Sequence, residues 1–194
     1  DGATTIYSYT PEGLVSSITD SQGNSNKKYY DIGGNLITEV DNLGNETKYT
    51  YDKMSNLVSE TAPNGAKTSY SYYPNGNVAT MKDALGEDTI YTYEVNWRVS
   101  NVYSTTGDSI SYIYDGRGNV RESADGLGNV TKYTYDTMGN VTSITDPNGA
   151  KTSYTYDAVG NKIQVKDALG NKTTYEYDKD NKPIKVTKAD GTYV

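Results

Sequence analysis

Residues 133–161 read YTYDTMGNVTSITDPNGAKTSYTYDAVGN, and the motif YTYDxxGN occurs in them twice, 21 residues apart. The same interval runs through the whole chain. Stepping by 21 from Tyr9 lands on Tyr30, Tyr51, Tyr72, Tyr93, Tyr114, Tyr135, Tyr156 and Tyr177 without exception. Two residues earlier, a second column holds Tyr7, Tyr49, Tyr70, Tyr91, Tyr112, Tyr133, Tyr154 and Tyr175, broken only by Lys28. A glycine column is as regular: Gly2, Gly23, Gly44, Gly65, Gly86, Gly107, Gly128, Gly149, Gly170 and Gly191. A looser one, Gly13, Gly34, Gly76, Gly118, Gly139 and Gly160, is interrupted by Ser55, Trp97 and Asn181. Self-similarity at a fixed short period is the signature of a repeat architecture. The chain is therefore read as a single array over residues 1–194, nine periods of 21 residues.

Each period carries two similar punctuation marks, such as Asp136–Asn140 (DTMGN) and Asp146–Ala150 (DPNGA). An Asp at the first position can accept from backbone N–H groups two residues on, and a glycine three residues later takes a positive φ. That is a type I turn closed by a glycine bulge, a common link between antiparallel strands. About six residues separate the marks, which is strand length and too short for a helix. The reading is all-β: a continuous antiparallel meander of roughly 18 short strands. Alternation places Tyr133 and Tyr135 on one face, with Lys132 and Thr134 on the other. The partner strand is left open, because Val141 and Ile144 differ in parity unless a bulge re-aims one of them.

Leu, Ile, Val and Phe make up only about 16 per cent of the residues, a level that ordinarily signals disorder. Order is nevertheless expected. Net charge is only −7 over 194 residues, and 21 tyrosines supply the missing apolar volume in a residue type that favours strands. The nine-member tyrosine column from Tyr9 to Tyr177 is thus a candidate structural ladder, in which truncation of one member to alanine should cost about 3 kcal/mol or more.

The recurrent YxYDxxGN…DxxGN pattern resembles the YD repeat of the RHS (rearrangement hotspot) family, which includes bacterial wall-associated proteins, toxin-complex subunits and teneurins. The resemblance implies a long antiparallel sheet that spirals into a hollow shell or tube, often encasing a toxin domain, with no catalytic residue in the repeats. Some larger members carry an aspartyl self-cleavage element with paired DPxG motifs. Here only Asp146-Pro147-Asn148-Gly149 has that spelling, and it occupies an ordinary turn position.

A longer period is superimposed. PNGAKTSYSY (Pro63–Tyr72) returns as PNGAKTSYTY (Pro147–Tyr156), and DALGEDTIYTY (Asp83–Tyr93) as DALGNKTTYEY (Asp167–Tyr177), both 84 residues on. Block duplication explains this, and so does a geometric unit of eight strands. One period departs from the pattern: Glu94 replaces Asp, Trp97 stands where glycine is expected and Arg98 replaces Asn. Tryptophan resists positive φ, so this turn is expected to take another shape, either as a packed bend or as a contact site for a partner or glycan.

Absences narrow the function. The chain has no cysteine and no histidine, so a disulfide frame, a thiolate nucleophile and the commonest general base and metal ligand are missing. The acidic turns match neither the EF-hand loop nor the nonapeptide Ca²⁺ repeat, and neither metal nor cofactor is expected. A pI near 4.6 and three arginines offer no basic stripe for nucleic acid. No apolar run is long enough to span a bilayer, and no signal peptide opens the chain. The expectation is a non-enzymatic scaffold, extracellular or at the cell surface and prokaryotic. It would serve as a wall segment of an RHS-type shell around a toxin domain, or as a subunit that pairs strands end to end with further copies of itself. Both termini lie in the same phase of the repeat, at Asp1-Gly2 and Asp190-Gly191. Residues 1–26 carry three acids and no base, whereas residues 157–194 carry seven lysines and six acids, which favours head-to-tail approach. The alternative is an adhesin or glycan-binding module that uses exposed tyrosines and Trp97.

Overall fold

The computed structural model describes residues 4–194. Asp1 and Gly2, the first member of the glycine column, lie outside the described residues. Eighteen strands alternate with short turns, and no helix occurs among the described residues. The chain divides into two compact units, one formed by residues up to Thr92 with Ser104–Thr106, the other by Tyr93–Tyr103 with Gly107–Val194.

The first unit is built on β1 (Ile6–Tyr9), β2 (Val15–Thr19), β3 (Ser25–Tyr30), β4 (Leu36–Val40), β5 (Glu46–Tyr51), β6 (Leu57–Thr61), β7 (Lys67–Tyr72), β8 (Val78–Lys82) and β9 (Asp88–Tyr93). The second is built on β10 (Val99–Ser104), β11 (Ser109–Tyr114), β12 (Val120–Asp125), β13 (Val130–Tyr135), β14 (Val141–Thr145), β15 (Lys151–Tyr156), β16 (Lys162–Lys166), β17 (Lys172–Tyr177) and β18 (Pro183–Thr187). Within each unit every strand pairs antiparallel with the next in sequence, so each is the expected meander.

The parity of Val141 and Ile144 is resolved by a bulge. Tyr133 lies opposite Ile144 and Thr134 opposite Ser143, but Tyr135 lies opposite Val141, with the register shifting between Thr134 and Tyr135. The extra residue on β14 swings Val141 onto the same face as Ile144, so both aliphatic side chains meet the tyrosine pair. The same shift recurs at Tyr9, Tyr30, Tyr51, Tyr72, Tyr114, Tyr156 and Tyr177.

The two faces therefore differ in chemistry. One carries the tyrosines with Leu, Ile and Val. The other is hydroxyl-rich: Thr50 bonds Ser59 at 2.8 Å, Ser71 bonds Thr80 at 2.6 Å and Thr134 bonds Ser143 at 2.7 Å. No apolar side chain among the described residues is fully buried, and the two most buried polar ones are Ser59 and Ser143. A single-layer sheet with half-buried rings thus takes the place of a core.

Turns close as the repeat chemistry dictates. Gly149 has φ +86°, its N–H donates to the Asp146 carbonyl at 3.0 Å, and the Asp146 N–H donates to the Ala150 carbonyl at 3.0 Å. The turn glycines Gly23, Gly44, Gly65, Gly86, Gly107, Gly128, Gly149, Gly170 and Gly191 all have φ between 82° and 101°. At Trp97 the structure corrects the sequence reading. Trp97 adopts φ +58°, its N–H donates to the Glu94 carbonyl at 2.9 Å and the Glu94 N–H to the Arg98 carbonyl at 2.9 Å, which is the turn shape of the other periods. The turn's two backbone hydrogen bonds hold Trp97 in the left-handed region against its steric cost, and Ser55 and Asn181 are held alike at φ +62° and +60°.

These geometries set opposite expectations for two substitutions. Gly149→Val should lower unfolding stability by about 1–2 kcal/mol, since a β-branched residue must hold a left-handed backbone. Ser55→Gly should raise it by about 0.5–1 kcal/mol. Urea denaturation of both variants checks the pair.

Candidate functional site

The feature repeated most faithfully is a tyrosine clamp. The odd strands β3, β5, β7, β11, β13, β15 and β17 each end on a tyrosine whose hydroxyl donates to the carbonyl of the first residue of the preceding strand, 15 residues earlier. Tyr30 reaches Val15 at 2.8 Å, Tyr51 Leu36 at 2.9 Å and Tyr72 Leu57 at 2.6 Å. In the second unit Tyr114 reaches Val99 at 2.7 Å, Tyr135 Val120 at 2.8 Å, Tyr156 Val141 at 2.9 Å and Tyr177 Lys162 at 3.0 Å. Tyr9 ends the first odd strand with 60 % of its surface exposed. Burial raises the hydroxyl pKa of Tyr51, Tyr72, Tyr114, Tyr135 and Tyr156 above the ordinary phenol value, and nearby acids add to the effect. The clamp hydroxyl is thereby kept in the O–H form that donates.

Cations lie across the rings. The Arg98 guanidinium lies 4.7 Å from the Tyr114 ring centroid, and Lys162 lies 5.8 Å from the Tyr154 ring and 5.6 Å from the Tyr175 ring. Arg98 also pairs with Glu94. Trp97 is 54 % exposed, and its ring centroid is 6.4 Å from that of Tyr93. Gly118 faces Arg98 so closely that an added Cβ would stand 2.6 Å from the guanidinium.

At the turns a second clamp operates. Asp136 Oδ1 accepts from the Met138 and Asn140 N–H groups, each at 2.9 Å, while Oδ2 accepts from Asn140 Nδ2 at 3.0 Å. Asp20, Asp31, Asp41, Asp52, Asp115, Asp125, Asp157 and Asp167 hold the asparagine four residues on in the same way. These carboxylates are committed to their own turns. Among the described residues no group of three or more acidic side chains is placed to hold a metal ion.

Residues 18–190 match the teneurin YD-shell family. The chain belongs to that family. Among curated proteins it has no match. Solved structures share its fold: TcdB2-TccC3 without its hypervariable C-terminal region, at TM-score 0.69 and 16 % identity, covers 95 % of this chain and 13 % of its own. The Tc holotoxin pore of Photorhabdus luminescens, at TM-score 0.70 and 18 % identity, covers 94 % of this chain and 12 % of its own. The YD-shell chain thus spans about an eighth of the length of these relatives.

One feature of the YD-shell chain escaped the sequence reading. Leu43, Leu85, Leu127 and Leu169 sit at turn tips, 80–89 % exposed, between small residues such as Ala84 and Gly86. They recur every 42 residues, two periods, whereas the intervening turns place Gln22, Asn64, Thr106, Asn148 and Asp190 there. Stepping by 21 hides this alternation; stepping by 42 shows it. No helix among the described residues is long and apolar enough to cross a membrane.

Tyr135→Phe should lower stability by about 1 kcal/mol, the net value of one hydrogen bond, whereas Tyr9→Phe, which has no such bond to lose, should leave it unchanged. Tyr135→Ala should cost about 2–3 kcal/mol, below the loss for a fully buried ring. Thermal and urea unfolding read all three.

Hydrogen bonding, first from the asparagine amide, lowers the pKa of Asp20, Asp31, Asp41, Asp52, Asp115, Asp125, Asp136, Asp157 and Asp167 below their ordinary 3.8. A depressed folded-state pKa stabilises the fold above the unfolded value and ceases to do so as pH falls through the folded one. Stability should therefore be flat at neutral pH and decline below 3.8. Asn140→Ala should move the acid transition to higher pH in circular dichroism titrations.

Proposed function

We propose that the chain is a non-enzymatic scaffold, one stretch of wall in a YD-type β-shell. The observation that carries this reading is the clamp: every contact that builds the sheet is between neighbouring strands, and each period repeats the last. Such an array grows by adding periods. The catalytic-residue inventory agrees, since the turn carboxylates are already engaged and the chain has no histidine or cysteine.

The shell is extracellular or at the cell surface of a prokaryote, and it extends by main-chain strand pairing, either with flanking repeats or with another copy. The exposed strand β1 at one end supports this. At the other, Val186 and Val194 exchange N–H···O bonds at 2.9 and 3.0 Å, in the same register as Ile144 and Thr152. The last residues thus lie as the next strand of the repeat would. A toxin domain is the enclosed cargo, by analogy with the relatives whose structures include TccC3.

Light scattering and electron microscopy test the extension directly. Concentrated protein should form end-to-end assemblies that shorten as concentration falls. A strict monomer with well-protected terminal amides in hydrogen exchange would remove strand pairing from the proposal.

A further inference from the structure

We propose, on the reading that copies extend one another by strand pairing, that two copies complete a single strand between them: Tyr193 and Val194 of one run on into Ile6–Tyr9 of the next. A clamp from Tyr9 to the Pro183 carbonyl of the preceding copy locks that strand in one register.

β1 has four residues, whereas β3, β5, β7, β9, β11, β13, β15 and β17 have six. In the phase of the repeat, Ile6–Tyr9 correspond to the last four residues of β17, Thr174–Tyr177, and Tyr193 and Val194 to its first two, Lys172 and Thr173. Laid end to end, the two pieces make one strand of the usual length. The shorter piece is already in place. Tyr193 bridges Thr187 as Lys172 faces Lys166, and Val194 exchanges hydrogen bonds with Val186 as Thr173 faces Val165. Gln164 faces Thr174 in that same pair, so one period on, Lys185 faces Ile6 of the next copy. β1 itself pairs with β2, and all four of its residues are exposed.

The clamps mark the same junction. Tyr9 holds the clamp position of β1, yet its hydroxyl meets no acceptor among the described residues; Pro183 holds the acceptor position of β18, yet no tyrosine there reaches its carbonyl. Counting on from Pro183 to Val194 and then from Ile6, Tyr9 is the fifteenth residue, which is the separation of every clamp within the chain. Proline has no N–H to give, but a clamp uses only the carbonyl. Pro183 is exposed, whereas the first residue of every other even strand is half-buried. Lys162, its counterpart one period earlier, lies across the rings of Tyr154 and Tyr175. At the junction Pro183 takes that place between Tyr175 and Tyr7, whose ring is also exposed. A donor, an acceptor and an uncovered ring thus stand at matching positions of opposite ends. A slip of one residue would turn Ile6–Tyr9 onto the wrong faces and lose the clamp.

The chain has no cysteine, so an engineered pair reads a single contact. Directly opposed residues of an antiparallel pair lie about 4.5–5.5 Å apart, a distance that a disulfide spans. The full chain carrying Ile6→Cys and Lys185→Cys, concentrated and oxidised with glutathione disulfide, should give a ladder of covalent oligomers on a non-reducing gel. Tyr7→Cys with Lys185→Cys points the two thiols to opposite faces and should give at least tenfold less. Tyr9→Phe should raise the concentration of half-assembly in light scattering about fivefold, the loss of one hydrogen bond of about 1 kcal/mol, with its unfolding midpoint unchanged. Equal ladders from both cysteine pairs, or assembly indifferent to Tyr9→Phe, would overturn this register and clamp while leaving strand pairing between copies standing. A disulfide closed within one chain would overturn them as well. A strict monomer at high concentration would remove the strand pairing itself, and the shared strand with it.

Discussion

A half-buried phenol must satisfy its hydroxyl, and in this chain it does so on the same carbonyl from period to period. The tyrosine that ends seven of the odd strands crosses to the first residue of the strand before it, at a constant separation of 15 residues. The bulge, the turn lengths and the placement of aliphatic side chains all accommodate it. By shifting the register between Thr134 and Tyr135, the bulge puts Val141 under the ring whose hydroxyl bonds Val120. Phenylalanine would cover the same apolar neighbours without tying one strand to the next, which is consistent with a chain that contains no phenylalanine at all.

Stability in such a sheet is local. With no fully buried apolar side chain among the described residues, the strands are held by their neighbours, their turns and the clamps. The two faces divide the work. Tyrosine with aliphatic residues excludes water on one, while paired hydroxyls such as Thr134 and Ser143 fill the narrow space on the other. Wherever a residue leaves its column, as Lys28, Tyr29 and Trp97 do, the fold persists and the local surface changes. Variation is therefore confined to chemistry displayed on an unchanged frame.

The frame was legible because its determinants are single residues at fixed intervals. Tyr135 and Gly149 each declare a strand end or a turn without reference to anything far away. The second strand was illegible for a physical reason: Val141 and Ile144 have the wrong parity for one face until a bulge is inserted, and no residue type announces that bulge. Trp97 misled because an intrinsic backbone preference of about 1–2 kcal/mol yields to the two backbone hydrogen bonds that close the turn, Trp97 to Glu94 and Glu94 to Arg98. Tyr29 was hidden in plain sight, since a tyrosine beside a tyrosine reads as part of the ladder until the register, with Tyr29 opposite Thr38, shows that it faces the other way.

Because every clamp spans the same number of residues and the turns are closed within their own five residues, the sheet has no preferred length. Removing or duplicating one whole period leaves each remaining hydroxyl opposite a suitable carbonyl, whereas losing a single residue misaligns every strand at that point. The near-identical stretches Pro63–Tyr72 and Pro147–Tyr156 have the look of such an exchange. Gene segments of this kind can recombine with their own neighbours and still encode a protein that folds, so the length of the sheet becomes a heritable quantity that changes in steps.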